Sequence, residues 1–130
     1  MPTAVTIDDS PLIRNQLRRI LDGIGVTVVA EGSSGDQLLA LYQQHHPDLV
    51  TLDIVMPGKD GVTAAIELLH EFPDARIVMC TSLTTREKIV ACQRAGVAHY
   101  LLKPFDVARA TKVFRFVLDR PAGDAPRSEP

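Results

Sequence analysis

The chain has 130 residues, of which 45% are hydrophobic, and a formal net charge of −2. This length suits one domain with a sizeable core, and the lack of excess positive charge argues against direct nucleic-acid binding. No apolar run approaches the roughly 20 residues that span a bilayer, and the N-terminus lacks the pattern of a signal peptide. We therefore expect a cytoplasmic domain with no membrane partner. Cys80 and Cys92 lie outside any metal-ligand spacing and are predicted to be reduced packing residues.

Short runs rich in Val, Ile and Leu alternate along the chain with longer segments of helical periodicity. In chain order, the predicted elements are strand 4–8, helix 11–22, strand 26–31, helix 35–45, strand 48–53, helix 62–71, strand 75–81, helix 85–95, strand 99–102 and a helix over about 107–118. This pattern is typical of a five-stranded parallel sheet with crossover helices, an α/β fold. Residues 121–130 contain almost nothing that could be buried, so we expect a domain over 1–120 and then a disordered tail or the start of a linker.

Three acidic residues fall at the carboxyl ends of predicted strands. Asp8 and Asp9 follow the first strand, and Asp53 ends the third. Ligands of doubly wound sheets bind in the crevice outside these strand ends, so the three carboxylates are expected to converge there. Such a cluster needs a cation, and oxygen ligands suit Mg²⁺. Taken singly, Asp8 and Asp9 could merely favour a helix N-terminus, and Asp53 could be a turn residue.

The fourth and fifth predicted strands end in residues that suit a phosphoryl group. Thr81 ends the fourth strand and offers a hydroxyl donor, while Lys103 follows the fifth and offers a fixed cation. Either residue alone could be a turn cap or a solvated charge. Together with the acids, they indicate a site for phosphoryl transfer.

From residue 4 to about residue 118, the sequence resembles the receiver domains of two-component response regulators. The resemblance is carried by the segments Ile7-Asp8-Asp9-Ser10, Leu52-Asp53-Ile54-Val55-Met56-Pro57-Gly58-Lys59-Asp60-Gly61, Met79-Cys80-Thr81-Ser82 and Tyr100-Leu101-Leu102-Lys103-Pro104-Phe105. It implies a flavodoxin-like, doubly wound sheet of strand order 2-1-3-4-5 flanked by five helices. It also implies a switch that acts on no external metabolite and is phosphorylated by a histidine kinase or a phosphotransfer protein.

The resemblance also implies a role for each residue of the site. Asp53 would be the phosphoacceptor, and Mg²⁺ would be held by Asp9, Asp53, the backbone carbonyl of Val55 and, through a water, Asp8. The phosphoryl group and the switch would involve Thr81, Ser82, Tyr100, Lys103 and Pro104, with a cis Lys103-Pro104 bond. Val55 and Leu83, which in the family flank the path of the attacking water, are apolar and predict a long-lived phosphoryl state.

The sequence departs from the family pattern at two places, and one of them indicates which kind of receiver domain this is. Lys59 stands where the family often has an apolar residue, and Ala98-His99 stand where DNA-binding regulators often carry acids. The second favours a chemotaxis-like or adaptor receiver, either a monomer or a weak phosphorylation-linked dimer. The expected output surface is the fourth helix, fifth strand and fifth helix, with candidate partner contacts at Arg86, Ile89, Val90, His99, Arg109 and Lys112.

Alternative functions remain open at this stage. The chain could be the N-terminal receiver of a longer regulator that continues after residue 130. A metal-dependent phosphohydrolase would also need strand-end acids, but such enzymes usually carry a second acid where this chain has Val55. A flavin-binding protein would need a phosphate loop where this chain has Asp8-Asp9. The histidines His45, His46, His70 and His99 show no metal-ligand spacing and are expected to have surface or capping roles.

Overall fold

The computed structural model describes residues 1–82 and 86–119 of the chain. Its strands are β1 (Thr3–Ile7), β2 (Thr27–Gly32), β3 (Leu49–Asp53), β4 (Ile77–Thr81) and β5 (His99–Leu102). Its helices are α1 (Pro11–Gly23), α2 (Leu38–His45), α3 (Gly61–Glu71), α4 (Arg86–Ala95) and α5 (Val107–Leu118). Among these residues, no helix is long and apolar enough to cross a bilayer.

The strands form one parallel sheet in the order β2-β1-β3-β4-β5, as the resemblance to receiver domains implied. Helices α1 and α5 cover one face, where Leu21 and Phe114 are fully buried, and α2, α3 and α4 cover the other, where Leu38 and Leu68 are buried. Both faces of the central strands are therefore in the core, which explains their nearly continuous apolar runs. This arrangement leaves the carboxyl ends of β1, β3 and β4 side by side.

Most predicted element boundaries are correct to within one or two residues, and two differences have a clear cause. The predicted strand 75–81 begins only at Ile77, because the amide of Ala75 donates to Phe72 O at 3.0 Å and keeps that segment in a turn. The predicted helix 35–45 divides into a 3-10 turn over Gly35–Gln37 and then α2, because Ser34 and the side chain of Gln37 form a capping box. Thr85, Leu83 and the predicted tail 121–130 lie outside the described residues.

Several smaller expectations can be compared with the structure directly. Cys80 and Cys92 are both free and buried, which confirms them as packing residues, and burial raises the pKa of their thiols to about 12 and about 11. The Lys103-Pro104 peptide bond is cis, as the resemblance implied. His46 caps the C-terminus of α2 with a left-handed backbone (φ 43°), where its ring lies 5.9 Å from that of Tyr42.

Candidate functional site

The candidate site is an acidic crevice at the carboxyl edge of the sheet. Ile7 pairs with Leu52 in the β1/β3 ladder, so Asp8 and Asp53 leave neighbouring strands at the same level. One carboxylate oxygen from each of Asp8, Asp9 and Asp53 lies within 4.8 Å of the others. Asp8 and Asp53 are buried, whereas Asp9 is exposed at the rim. The structure thus brings together the three acids that the sequence placed at strand ends.

Lys103 enters the crevice from the end of β5 and contacts two of the acids. Its Nζ donates to Asp8 Oδ2 at 3.0 Å and lies 3.4 Å from Asp53 Oδ2. The other oxygen of Asp8, Oδ1, accepts a hydrogen bond from the amide of Ser10 at 2.9 Å. Both oxygens of Asp8 are therefore engaged within the protein, while Lys103 bridges to the carboxylate of Asp53.

The pKa shifts in the crevice follow from burial and from these contacts. Burial raises the pKa of the Asp53 carboxyl, and the negative charge of Asp8 raises it further against the opposing effect of Lys103. For Lys103, burial acts to lower the pKa, but the hydrogen bond and charge of Asp8, together with the charge of Asp53, outweigh it and raise the pKa. Lys103 consequently stays cationic at neutral pH beside Asp53.

Three of the remaining predicted site residues lie at the same edge of the sheet, and the fourth, Tyr100, does not. Thr81 is buried at the end of β4, next to β3, and its carbonyl accepts a hydrogen bond of 2.7 Å from the amide of Lys103. Ser82 follows it and is half-buried, whereas Pro104 is exposed. Tyr100 lies further from this edge, earlier on β5, where its hydroxyl is 2.9 Å from Val97 O and 3.4 Å from Ile89 O. The phenol therefore contacts the α4 side of the sheet, and burial raises its pKa.

The donor set of the crevice fits a hard divalent cation. Three carboxylates meet there and supply only oxygen ligands, while Lys103 contributes a single positive charge against them. Mg²⁺ prefers such ligands and needs only one or two carboxylates because it retains several waters. Asp9 and Asp53 have oxygens to offer such an ion, whereas the oxygens of Asp8 are already engaged. Val55, two residues after Asp53, is 55% exposed, so this part of the loop is open to solvent.

Sequence reasoning missed two groups of residues that support the crevice. Arg14 donates to Asp8 O at 2.6 Å and pairs with Glu31, which also pairs with Arg18. The signal was present, since Arg14 and Arg18 are four residues apart on α1 and Glu31 lies on the adjacent strand. The second group is the turn before α2, which contacts the loop between β3 and α3. Its hydrogen bonds join residues 23 positions apart, and no local pattern predicts them.

Comparisons with known proteins agree with this geometry. Residues 4–115 match the family model described as response regulator receiver domain. The chain is 35% identical to the chemotaxis protein CheY of Bacillus subtilis over 113 residues, which cover 87% of this chain and 94% of that protein. It is 39% identical to CheY of Halobacterium salinarum over 99 residues, covering 76% of this chain and 82% of that protein.

A solved structure gives the same result for the fold. The CheX-CheY-BeF3-Mg+2 complex from Borrelia burgdorferi contains a chain that superposes with a TM-score of 0.85 at 26% identity, covering 92% of this chain and 90% of that one. The parallel sheet of order 2-1-3-4-5, the acids at its carboxyl edge and the family match over most of the chain lead to one conclusion. The chain belongs to the response regulator receiver domain family and is similar to the chemotaxis protein CheY.

Proposed function

We propose that this domain is a phosphoacceptor switch in which the carboxylate of Asp53 accepts a phosphoryl group from a histidine kinase or a phosphotransfer protein. The observation that carries the proposal is the convergence of Asp8, Asp9 and Asp53 on one crevice that also contains the ammonium of Lys103. In this family a receiver with such a crevice acts as a signalling switch. The acceptor role falls on Asp53 because it ends β3, the central strand of the sheet, where Asp8, Asp9 and Lys103 all lie close to its carboxylate.

The chain's own residues supply most of the transfer chemistry. An oxygen of Asp53 attacks the phosphorus of the donor phosphohistidine, a P–O bond forms, the P–N bond breaks, and the departing imidazole takes up a proton. Lys103 lies 3.4 Å from Asp53 Oδ2 and can pair with a phosphoryl oxygen there. Thr81, at the end of the neighbouring strand, and Ser82 are the hydroxyl residues that support binding of another oxygen.

Mg²⁺ is the cofactor that this proposal requires. Asp9, Asp53 and the backbone carbonyl of Val55 would hold it, and Asp8 would act indirectly, since its oxygens are bonded to Lys103 and to the amide of Ser10. When bound, Mg²⁺ would neutralise negative charge on the transferred phosphoryl group. The Borrelia burgdorferi complex includes Mg together with BeF3, which supports the same cofactor for a similar chain.

The proposed output surface consists of α4, β5 and α5. The Tyr100 hydroxyl, within reach of Val97 O and Ile89 O, connects β5 to α4, so a change at Thr81 can shift the population of Tyr100 rotamers and with it the position of α4. A cavity of about 450 Å³ lies on this surface, lined by Ala98, His99, Tyr100, Lys112, Val113 and Phe116. Phe116, which is 55% exposed, gives this surface apolar character, and Lys112 gives it basic character. An amphipathic helix with acidic flanks is the kind of output partner that fits it.

The test is phosphorylation with a small donor. Wild-type protein incubated with acetyl phosphate and Mg²⁺ should gain the mass of one phosphoryl group, and excess EDTA should prevent the gain. Asp53→Asn should gain nothing. The matched control is Asp48→Asn, because Asp48 precedes the same strand but lies at its opposite end, where it accepts a hydrogen bond from the Thr3 amide.

Two results would contradict the proposal. Undiminished modification of Asp53→Asn would exclude Asp53 as the acceptor. Full modification of the wild type in EDTA would exclude the metal.

A further inference from the structure

The turn over Ser33–Gln37 is attached to the loop between β3 and α3, the loop that carries Val55. The amide of Gly35 donates to Lys59 O at 3.1 Å, and the amide of Lys59 donates to Asp36 Oδ2 at 3.3 Å. The Ser34 hydroxyl lies 3.2 Å from Pro57 O and 2.9 Å from Asp36 Oδ2, and it can donate its proton to either. Three consecutive residues of the turn thus hold the loop at Pro57 and Lys59.

The approach of the two segments is close enough to require glycine. A Cβ on Gly35 would lie 2.4 Å from Lys59 O and 3.0 Å from Asp60 O, which are both backbone atoms. Gly58 has a φ of 73°, and a Cβ there would lie 2.7 Å from Asp36 Oδ2. The turn and the loop are therefore closely packed. Each occupies the space that a side chain at Gly35 or Gly58 of the other would need.

The side chains of the loop hold its first half in the core and pair Lys59 with Glu67 of α3, and the turn adds contacts to the backbone at Pro57 and Lys59. Ile54 and Met56 point into the core, whereas the side chain of Val55 is largely exposed. Beyond Met56, the loop is held by Ser34, Gly35 and Asp36 until Asp60 caps α3 through the amide of Thr63 at 2.9 Å. A loop held at both ends presents its carbonyls in one orientation, and preorganised ligands bind metal more tightly.

We propose that Ser34 and Asp36 are positioning residues for the acidic crevice, which fix the Val55 carbonyl relative to Asp53 and thereby set the affinity for Mg²⁺. The inference rests on the proposed function, because it assumes that Mg²⁺ binds in that crevice. Neither residue belongs to the acidic cluster itself. Asp36 is exposed, and its hydrogen bonds from Ser34 and from the Lys59 amide lower the pKa of its carboxyl, so it acts as an ionised acceptor at neutral pH.

The experiment is calorimetric titration of the full chain with Mg²⁺ alone, with amide NMR shifts of residues 54–60 as a second readout. Ser34→Ala and Asp36→Ala should each weaken Mg²⁺ binding about three- to tenfold, the effect expected from losing a hydrogen bond that orders the loop. Asp36→Asn keeps an acceptor for the Lys59 amide and should stay within about twofold of the wild type. Ser33→Ala is the matched control, since Ser33 is exposed on the same turn and its hydroxyl donates to Gln37 Oε1, within the turn, at 3.4 Å.

The variants separate positioning from simple electrostatics. Asp36→Ala removes a negative charge, but Ser34→Ala does not. A loss of Mg²⁺ affinity in both variants therefore supports a role in positioning the loop. If Ser34→Ala binds Mg²⁺ as the wild type does, Ser34 does not position the loop and the proposal is wrong. The proposal is also wrong if Asp36→Asn loses as much affinity as Asp36→Ala, because the effect is then one of charge.

A further variant tests the proposed function separately from this inference. Asp53→Asn should lose most of the Mg²⁺ affinity whether or not the Ser33–Gln37 turn positions the loop. If Asp53→Asn binds like the wild type, the proposed function fails. If only the turn variants bind like the wild type, the function stands and the positioning role alone is overturned.

Discussion

Gly61 provides a sharp test of how tightly β3 and the residue after it are packed against α3. It is the first residue of α3, and its amide donates to Ile54 O at 2.8 Å. A Cβ added there would lie 2.1 Å from Asp53 O, 2.9 Å from Asp53 C and 2.8 Å from Ile54 Cα. All three atoms belong to the backbone, so no side-chain rotation can relieve the overlap. Gly61→Ala must displace either the start of α3 or the backbone of Asp53.

The expected cost can be estimated from that overlap. Overpacking of a core usually costs about 1–3 kcal/mol, and a clash with fixed backbone belongs at the upper end, so we expect a loss of about 3 kcal/mol. For a domain of this size that corresponds to a Tm lower by roughly 10 °C. Because the displaced backbone belongs to Asp53, Mg²⁺ affinity should fall as well.

Urea unfolding and Mg²⁺ titration of Gly61→Ala measure both effects. The matched control is Gly23→Ala at the end of α1, where nothing lies within 4 Å of the added Cβ and the change should alter stability by less than about 1 kcal/mol. Similar stabilities of the two variants would refute the packing argument.

Three further predictions concern the crevice and its output. First, Asp53→Asn should stabilise the metal-free protein at neutral pH by about 1 kcal/mol, because the pKa of the buried carboxyl is raised and its ionised form is unfavourable. This advantage should shrink as the pH falls through the raised pKa and vanish below the ordinary value of 3.8; a constant advantage in thermal unfolding would contradict it. Second, Val55→Asn should shorten the lifetime of the phosphoryl group about tenfold, because an amide can orient the attacking water; an unchanged decay rate of the isolated phosphoprotein would show that another group controls it. Third, beryllofluoride should shift amide NMR signals as far as residues 86–112 in the wild type but much less in Tyr100→Ala; wild-type shifts confined to the loops around Asp53 would exclude the output mechanism.

Residues at the ends of strands could be predicted well from the sequence. Asp8, Asp53 and Thr81 follow runs of buried apolar residues, and the carboxyl ends of parallel strands share one edge of a sheet. Their proximity therefore follows from the fold class alone. The resemblance to receiver domains added the strand order and the residue roles, which periodicity does not contain.

Contacts between loops could not be predicted in the same way. The sequence showed that Lys103 ends a strand, but not that its ammonium bonds to Asp8 while bridging to Asp53. The attachment of Ser34 and Asp36 to the β3–α3 loop joins two turns whose residues are polar for ordinary local reasons. Such contacts depend on the relative position of two loop backbones, which a pattern of apolar residues does not encode.

The central claim, that Asp53 accepts the phosphoryl group beside a Mg²⁺ ion, is tested most directly by a crystal structure of the protein grown with Mg²⁺ and beryllofluoride. The account predicts the beryllofluoride group on a carboxylate oxygen of Asp53, with Lys103 and Thr81 in contact with it. It predicts the metal on Asp9, Asp53 and the carbonyl of Val55. A beryllofluoride group on another carboxylate, or a metal bound away from this crevice, would contradict the account.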